Sequence, residues 1–559
     1  MKILLIATWG FPGSWKKAKY IPPIPPEKTH KWTKLTEWQW SNEEIPTYST
    51  TVALTQKLIE QYSDKEDIDI QILIYGIDTL ACPPKLSTGS IKEGEEERKG
   101  LIEKLNKEID KFYKKDPENY DEVYERAEKV LRIFVKEYFK EPIKKKSILE
   151  KNIFVKILPG VGLYILRDKS YEFTGSPQNT ALALELDLFD RLNKTKPDAI
   201  ILDISHGINY LPVVTVNAVL RTAKIYSALT SKSIPVAILN SDPVTMVLQE
   251  AKIHLVQVHK IKEAPLSTLR ELITDIEKNI QDLENIQVYK MIKQTKPPER
   301  IINLNKEIKQ LYKEYFNKAK GILTESEYGL ILYTLTFCDL SDLEKTDNTV
   351  NTIIGNIHKA LCKRKVVVND KSIRIEYKYA LQPNEITSIM YLSKLLKKIL
   401  ESKNEIERYN SLFNIDSLKK YAKEIGLSGM GNIIFENEIS DIKRRVSGVM
   451  KKLNISLPSS VPYKIIYDLF DLLENYQTIF SKNTIMKIIE HKEINEIITN
   501  KEKYKDIISC KINQRNFLAH AGFEKNVTEI AIIDGKIFVG YREDCYNYVK
   551  EVINKIINS

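Results

Sequence analysis

The hexapeptide Arg515-Asn516-Phe517-Leu518-Ala519-His520 places an arginine and a histidine with four residues between them. Helical spacing puts Asn516 and His520 on one face, with Arg515 flanking it. A histidine transfers protons near neutral pH, and an arginine neutralises a phosphate. The pair therefore suits metal-independent RNA cleavage, in which the ribose 2′-hydroxyl attacks the neighbouring phosphorus. A histidine that only stabilises the C-terminal helix dipole is the competing interpretation.

A second set of small and polar residues follows predicted strands in the N-terminal half. Ligands of open α/β sheets bind at the carboxyl ends of the strands, and small residues before a helix N-terminus let backbone N–H groups approach an anion. This pattern predicts a site for a nucleotide or oligonucleotide phosphate. The alternative for Ser205 and Asn209 is helix capping. The candidate contacts are Thr8, Trp9, Gly10, Thr174, Gly175, Ser205, His206, Gly207, Asn209, Asn240 and Ser241.

The glycine patterns argue against two common nucleotide-dependent activities. Gly10-Phe11-Pro12-Gly13 does not match the GxGxxG of dinucleotide-dependent dehydrogenases, and Gly160-Val161-Gly162 lacks a third glycine. The chain also has no Walker lysine loop. Hydride transfer and NTP hydrolysis are therefore disfavoured.

Strands and helices alternate in the first half of the chain. Strands are predicted at 2–8, 69–75, 153–158, 198–204 and 235–239, and helices at 50–62, 180–192 and 211–229. Such βαβ units imply a Rossmann-like domain with a parallel sheet, which we place at 1–262. Two insertions interrupt it. Residues 9–46 hold all five tryptophans and predict a structured loop, and residues 91–151 predict a solvated pair of charged helices.

The second half is predicted to be mainly helical. A charged helical linker is expected at 263–325 and a helical domain with small β-hairpins at 326–559. Hairpins are predicted around Asn369-Asp370 and Asp534-Gly535. Apolar periodicity predicts helices at 385–402, 414–425, 436–454, 461–480, 499–521 and 543–557.

Composition restricts the class of protein without naming a partner. The 559 residues include 85 Lys and Arg against 75 Asp and Glu, a mild excess of +10. Five scattered cysteines without a CxxC pair predict reduced thiols and a cytoplasmic protein. No apolar run approaches the ~20 residues of a membrane helix, so no membrane partner is expected.

Two segments together resemble a known family. Asp203-Ile204-Ser205-His206-Gly207-Ile208-Asn209-Tyr210-Leu211-Pro212 with the Val-rich helix after it resembles the nucleotide-sensing CARF domain of type III CRISPR-associated accessory ribonucleases, the Csx family. Arg515-Asn516-Phe517-Leu518-Ala519-His520-Ala521-Gly522 resembles the RxxxxH motif of their HEPN ribonuclease domain. The order also agrees, with CARF first, a helical linker next and HEPN last.

The resemblance implies an activator-gated ribonuclease. Cyclic oligoadenylate, with cyclic tetra-adenylate as the expected ring, would bind across a CARF dimer, through the candidate contacts given above. A composite HEPN site in the homodimer, or in an oligomer of dimers, would then cut single-stranded RNA with no cofactor. Carried over by motif, Arg515 and His520 are the catalytic pair and Asn516 positions them.

Two other functions remain open at this level. The first is a non-enzymatic nucleotide sensor whose helical half binds DNA or a protein, for which Lys443-Arg444-Arg445 is the best basic cluster. The second is a nuclease that also cleaves its activator slowly, which Ser205 and His206 suggest weakly.

Overall fold

A computed structural model describes residues 1–62, 68–82, 96–113, 115–145, 147–166, 169–208, 210–244, 250–279, 289–291, 299–338, 350–353, 355–356, 364–377, 379–381, 383–453, 460–475 and 508–558. The chain divides into two compact units. The N-terminal unit comprises Met1–Glu263, Asp282–Gln310 and Thr349–Tyr391. The C-terminal unit comprises Ala264–Gln281, Leu311–Asn348 and Leu392–Ser559.

Strands and helices alternate through the described part of the first 263 residues. The strands are β1 (Lys2–Thr8), β2 (Ala18–Ile21), β3 (Pro23–Ile24), β4 (Gln39–Trp40), β5 (Ile45–Thr47), β6 (Asp69–Ile77), β7 (Ile153–Leu158), β8 (Gly162–Leu166), β9 (Lys169–Phe173), β10 (Ala199–Asp203), β11 (Ile234–Ser241) and β12 (Glu250–Ile261). The helices are α1 (Thr50–Gln61), α2 (Glu96–Tyr113), α3 (Tyr120–Tyr138), α4 (Lys140–Lys145), α5 (Pro177–Thr195) and α6 (Leu211–Thr230). Every strand and helix predicted for this half is confirmed, with ends that differ by a few residues.

An eight-stranded sheet forms the centre of the N-terminal unit, in the order β5-β2-β12-β11-β10-β1-β6-β7. The five strands from β11 to β7 run parallel, as predicted. They are apolar along their length because helices cover both faces of such a sheet. Among these five, β1 has β6 on one side and β10 on the other. This is the doubly wound order, in which the chain changes direction between β1 and β10 and leaves a crevice for a ligand.

The outer part of this sheet contains strands that the sequence did not predict. Strand β12 pairs antiparallel with β11, β2 pairs parallel with β12, and β5 pairs antiparallel with β2. The sheet is therefore mixed. Strands β2 and β5 belong to the 9–46 insertion, which extends the sheet rather than forming only a loop. The sequence of a short strand does not show which other strand it will pair with, so this arrangement was not predicted.

The charged insertion contains the predicted helices, α2 and α3, but α3 is not simply solvated. Its apolar residues recur at helical spacing and join the main hydrophobic core, where Val123, Ala127, Val130 and Phe134 are all buried. The lysines and glutamates occupy the opposite face. The insertion is therefore part of the domain core.

The remaining described elements alternate short strands with helices. The helices are α7 (Pro265–Asn279), α8 (Glu299–Glu327), α9 (Ile331–Phe337), α10 (Pro383–Glu401), α11 (Ile415–Ile425), α12 (Gly429–Leu453), α13 (Tyr463–Asn475), α14 (Gln514–Ala519) and α15 (Tyr546–Asn558). The strands are β13 (Tyr289–Met291), β14 (Lys365–Val368), β15 (Ser372–Glu376), β16 (Tyr379–Leu381), β17 (Arg408–Tyr409), β18 (Leu412–Asn414), β19 (Val461–Pro462), β20 (Thr528–Ile533) and β21 (Lys536–Tyr541).

The hairpin β14–β15 forms where it was predicted, but it belongs to the N-terminal unit. Strand β15 pairs parallel with β9 in a four-stranded sheet of order β14-β15-β9-β8. The sequence had placed this hairpin within 326–559. A turn signal is local and carries no information about the distant strand that completes the sheet.

A buried ion pair holds this second sheet against the carboxyl end of β6. Arg364, directly before β14, contacts Asp78, and both side chains are fully buried. The other Asp78 contacts are the hydroxyl of Tyr120 at 2.7 Å and the N–H of Gly160 at 2.8 Å. Arg364 also donates to the carbonyls of Gly160 and Thr174. The network therefore joins α3, the second sheet and the main sheet.

The C-terminal unit contains a five-stranded antiparallel sheet, β17-β18-β21-β20-β19, among its helices. The predicted Asp534-Gly535 hairpin is confirmed as β20–β21. The predicted helix at 499–521 is wrong for 508–513, because α14 begins only at Gln514, where the side chain of Asn513 caps it. Residues 499–507 of that prediction, and 476–480 of the 461–480 helix, lie outside the described residues.

Two cysteines contradict the prediction that all five thiols are reduced. Cys510 and Cys545 form a disulfide, whereas Cys82 and Cys338 are free and Cys362 lies outside the described residues. The pairing joins positions 35 residues apart, so no local spacing rule indicated it. Within the described part of the chain, no helix is both long and apolar enough to span a membrane.

Candidate functional site

The loops after β1 and β10 meet at the carboxyl edge of the main sheet, as predicted. The N–H of Gly10 donates to the carbonyl of His206 at 2.8 Å. A Cβ on Gly10 would lie 2.3 Å from the Ile208 side chain. At Gly207, a Cβ would lie 2.4 Å from the Pro212 ring and 2.7 Å from Oγ1 of Thr8. The close approach of these two loops therefore explains why both positions are glycine.

Asp203, the last residue of β10, is hydrogen-bonded to residues of two segments at this edge of the sheet. Its carboxylate is buried and accepts hydrogen bonds from the hydroxyls of Thr50 and Thr51, each at 2.7 Å. The hydroxyl and the N–H of Ser205 donate to its other oxygen, at 2.6 and 3.1 Å. Four donors satisfy this carboxylate, so it positions the 205–207 loop and the start of α1.

Ser205 does not cap the helix that follows it. Helix α6 has Tyr210 at its N-cap position, with no side-chain capping hydrogen bond, and Pro212 in its first turn. The hydroxyl of Ser205 points to Asp203 instead. Asn209, the other residue for which capping was considered, lies outside the described residues.

His206 is held as a neutral imidazole. Its Nε2 atom accepts the backbone N–H of Thr50 at 3.1 Å, so Nε2 carries no proton. Burial lowers the pKa of His206 to about 4, although the nearby Asp203 carboxylate opposes this shift. One face of the ring stacks on Trp15, with centroids 4.0 Å apart. Because Nε2 is engaged and the ring stays uncharged, His206 is not arranged to carry a proton.

A cleft of about 450 Å³ opens beside this histidine. Four of the predicted contact residues line it, namely Ser205, His206, Asn240 and Ser241. The remaining lining comes from residues outside the predicted contacts, which are Ser14, Trp15, Lys16, Tyr20, Asp242, Pro243 and Val244.

The other predicted contacts have different surroundings. Thr8 and Trp9 are fully buried, and the Trp9 indole N–H donates to Thr51 at 2.9 Å, so this tryptophan supports the edge from within. Thr174 and Gly175 follow β9 in the second sheet. The N–H of Thr174 donates to Ile375 at 2.9 Å, and its carbonyl accepts from Arg364. Their contacts are therefore with the β14–β15 hairpin.

In the C-terminal unit, helix α14 carries the Arg–His motif and is anchored at both ends. The Asn513 side chain accepts the N–H of Asn516 at 3.2 Å at its start. At its end, Ala521 and Gly522 take positive φ angles of 48° and 82°, and the N–H of Gly522 returns to the carbonyl of Phe517 at 2.9 Å. This αL termination stops the helix directly after His520.

Phe517, inside the motif, fixes the rotation of this short helix. It is fully buried and stacks on Tyr541 of β21, with centroids 6.3 Å apart. Arg515 and Asn516 are consequently exposed. Arg515 has no acidic partner among the residues that the structure describes. Its guanidinium is therefore available to an anionic ligand.

His520 is paired with a carboxylate that the sequence did not suggest. Its Nδ1 atom lies 2.9 Å from Oε2 of Glu438, which is on α12 and only 8% exposed. The hydrogen bond to Glu438 raises the pKa of His520, against the opposing effect of burial. A carboxylate on Nδ1 fixes the orientation of the ring and leaves Nε2 as its other hydrogen-bonding atom. Glu438 lies 82 residues upstream within an ordinary amphipathic pattern, so no local signal pointed to it.

The basic cluster at 443–445 is neutralised by acidic partners. Lys443 contacts Asp416, Arg444 contacts Asp441 at 2.6 Å, and Arg445 contacts both Asp441 at 2.6 Å and Asp471 at 2.5 Å. These ion pairs engage all three cations within the unit.

Among the described residues, a single group of three potential metal ligands was found, formed by Cys510, Asp544 and Cys545. Its two sulfur atoms are bonded to each other. The carboxylate of Asp544 accepts two hydrogen bonds from Arg542. This group is therefore already satisfied by the protein.

Comparisons with known proteins agree with this division of the chain. Residues 4–243 match the family model of the CARF domain of the CRISPR system endoribonuclease Csx1, and residues 473–543 match the model of its HEPN domain. The second match includes the whole Arg–His motif. The protein named CRISPR system endoribonuclease Csx1 from Methanocaldococcus jannaschii is 25% identical over 483 residues, which is 83% of this chain and 88% of the relative.

An α/β domain with a cleft at its topological switch point, followed by a HEPN domain with an Arg–His motif, defines a CRISPR-associated accessory ribonuclease. The chain belongs to the Csx1 family of CRISPR system endoribonucleases.

Proposed function

We propose that this chain is a metal-independent endoribonuclease that cuts single-stranded RNA when its CARF domain binds cyclic oligoadenylate. The contact between His520 and Glu438 carries the catalytic part of the proposal, because it orients the motif histidine through Nδ1. Among the described residues, Arg515 of the same motif has no acidic partner. The cleft at the β1–β10 switch point supports the sensing part, because its small and polar residues suit a nucleotide.

The proposed chemistry uses the motif residues, the Glu438 carboxylate and water. Nε2 of His520 takes the proton of the ribose 2′-hydroxyl, and the Glu438 carboxylate stabilises the imidazolium that forms. The guanidinium of Arg515 neutralises the charge that develops on the phosphoryl oxygens. The O2′–P bond forms as the P–O5′ bond breaks, and water protonates the departing oxygen. The products are a 2′,3′-cyclic phosphate and a 5′-hydroxyl.

Two copies of the chain are required in this scheme. One short helix presents one arginine and one histidine, and these two side chains are five positions apart on α14. A two-fold axis brings a second set to the same scissile phosphate, and a cyclic activator matches the same symmetry. The activator acts by binding one arrangement of the dimer more tightly than the other.

The test is cleavage of labelled single-stranded RNA in EDTA, with and without cyclic tetra-adenylate. Activator-stimulated cutting is expected in the wild type, with loss of about 10²- to 10⁴-fold in His520→Ala and in Arg515→Ala. Activator binding should be unchanged in both variants. Gln514→Ala is the matched control, because Gln514 is exposed on the same helix and lies outside the motif.

Two results would contradict the proposal. One is an absence of stimulated cleavage with rings of three to six adenylates, and the other is cleavage that survives in His520→Ala.

The alternative of a DNA-binding regulator has less support. Its best basic cluster, Lys443 to Arg445, is occupied by Asp416, Asp441 and Asp471. A duplex-DNA binding assay at increasing salt separates the two functions, since phosphate contacts produce a steep salt dependence.

A further inference from the structure

The tryptophan-rich insertion reaches the cleft at the carboxyl edge of the main sheet. Its residues Ser14, Trp15, Lys16 and Tyr20 form one wall of the cleft, which the loops after β10 and β11 also line. The insertion is fixed there because β2 continues the main sheet through β12. The wall it contributes is therefore part of the folded domain.

This wall is aromatic. Trp15 stacks on His206 with an angle of 23° between the ring planes, and Tyr20 meets the same histidine edge-on at 6.4 Å. Trp9 contacts Trp15 from behind, with centroids 5.0 Å apart. Trp15 remains partly exposed on the cleft side. Aromatic side chains that are held rigidly at a polar cleft are suited to stacking with nucleobases.

The same wall also contains a lysine, Lys16. Lys16 is half-buried and has no carboxylate partner among the residues that the structure describes. Asp242, the acidic residue of the cleft, contacts Nε2 of His254 at 2.7 Å and accepts the N–H of Lys252 at 3.2 Å. The His254 contact lowers the pKa of Asp242. An unpaired, half-buried ammonium group is suited to a ligand that brings its own negative charge.

We propose that the insertion supplies the recognition surface for one nucleotide of a purine oligonucleotide, with Trp15 contacting the base and Lys16 contacting the phosphodiester. Asn240 and Ser241, which line the same cleft, offer hydrogen bonds to the base edge or the ribose. This inference rests on the proposed function for the class of ligand. It adds that Trp15 and Lys16, which were not among the predicted contacts, contribute to the affinity for the nucleotide.

The experiment measures binding of cyclic tetra-adenylate to the full chain by calorimetry. Lys16→Gln should raise Kd roughly 10- to 100-fold, the range expected for one charged hydrogen bond. Lys17→Gln is the matched control, since Lys17 is the adjacent lysine but lines a different cavity, with Tyr48 and Lys104. Its Kd should stay within about twofold of the wild type.

A second measurement follows tryptophan fluorescence during the titration. The wild type should change its emission on binding, and Trp15→Phe should lose most of that change. Trp38→Phe should retain it, because Trp38 packs against Trp32 and donates to the Trp32 carbonyl at 2.9 Å, within the insertion. Circular dichroism of each variant verifies its fold.

The outcomes separate this inference from the function on which it rests. If the wild type binds neither the four- nor the six-membered ring, the proposed function fails. If the wild type binds but Lys16→Gln and Lys17→Gln bind equally well, the inference alone is overturned. Loss confined to Lys16→Gln, together with loss of the signal in Trp15→Phe, supports it.

Discussion

Nδ1 of His520 and Oε2 of Glu438 lie 2.9 Å apart, although the two residues are 82 positions apart in the chain. Glu438 lies on α12, and His520 caps the end of α14. Glu438 is almost completely buried, and His520 is half-buried at the end of α14. The buried carboxylate can therefore influence a bound substrate only through the imidazole ring of His520. This makes Glu438 a positioning residue that sets both the orientation and the pKa of the motif histidine.

Glu438→Gln should lower the pH at which the nuclease becomes active. The carboxylate raises the pKa of His520, and a general base works only when it is deprotonated. Without the negative charge, the inflection of kcat/KM against pH moves to lower pH, and the rate at the plateau falls. Glu436→Gln is the control, because Glu436 pairs on the surface with Lys419 at 2.5 Å. An unchanged inflection in Glu438→Gln would show that the pair does not control proton transfer.

The same pair should make stability depend on pH in a defined direction. A group whose pKa is higher in the folded state than its ordinary value near 6.5 stabilises the fold fully below that value. This contribution is lost as the pH rises through the raised folded pKa. We expect the free energy of unfolding in urea to fall less between pH 5.5 and pH 8.5 for His520→Gln than for the wild type. Equal differences in the two proteins would contradict this assignment.

Gly207→Ala should disturb the cleft without affecting the nuclease domain directly. A Cβ at this position would lie 2.4 Å from the rigid ring of Pro212, so the loop must move. We expect a loss of about 1–3 kcal/mol in unfolding free energy and much weaker binding of cyclic tetra-adenylate. Gly100→Ala is the control, since nothing lies within 4 Å of a Cβ there. Equal ligand affinity in the two variants would argue that the 205–207 loop does not shape the site.

Removing the disulfide should destabilise the segment that precedes α14. Cys510 and Cys545 close a loop with a sequence separation of 35, for which chain entropy gives about 4 kcal/mol. Cys510→Ser should therefore unfold at lower urea concentration than the wild type under non-reducing conditions. Dithiothreitol should bring the wild type to the level of the variant and leave Cys510→Ser unchanged. A wild type indifferent to the reductant would contradict the pairing.

Breaking the buried Arg364–Asp78 pair should be costly. Arg364→Met leaves the carboxylate of Asp78 buried without its cation, which typically costs about 3–5 kcal/mol. Arg374→Met, in the same hairpin, is the matched control, because its pair with Glu172 has side chains 51% and 42% exposed. The control should change the free energy of unfolding by less than about 1 kcal/mol. Similar losses in the two variants would mean that the buried pair does not hold the second sheet.

The sequence by itself predicted most of the local elements and proposed two groups of candidate site residues. Continuous apolar runs predict β1, β6 and β10, because strands buried on both faces cannot alternate. The Asp534-Gly535 turn predicts its hairpin, because its φ angles are positive at both residues. The Arg–His spacing predicts the motif on α14, because four intervening residues are a local property of the chain.

Only the tertiary structure decided which distant residues complete these groups. Glu438 reaches His520, Arg364 reaches Asp78, and Trp15 reaches His206 across separations that no periodicity encodes. The sequence predicted the parallel strands but not the antiparallel β12 beside them, and it predicted reduced thiols, whereas Cys510 pairs with Cys545. The physical reason is the same in each case. Periodicity and turn signals report on neighbours along the chain, whereas pairing partners are selected by burial, charge and packing among elements that meet only in the folded state.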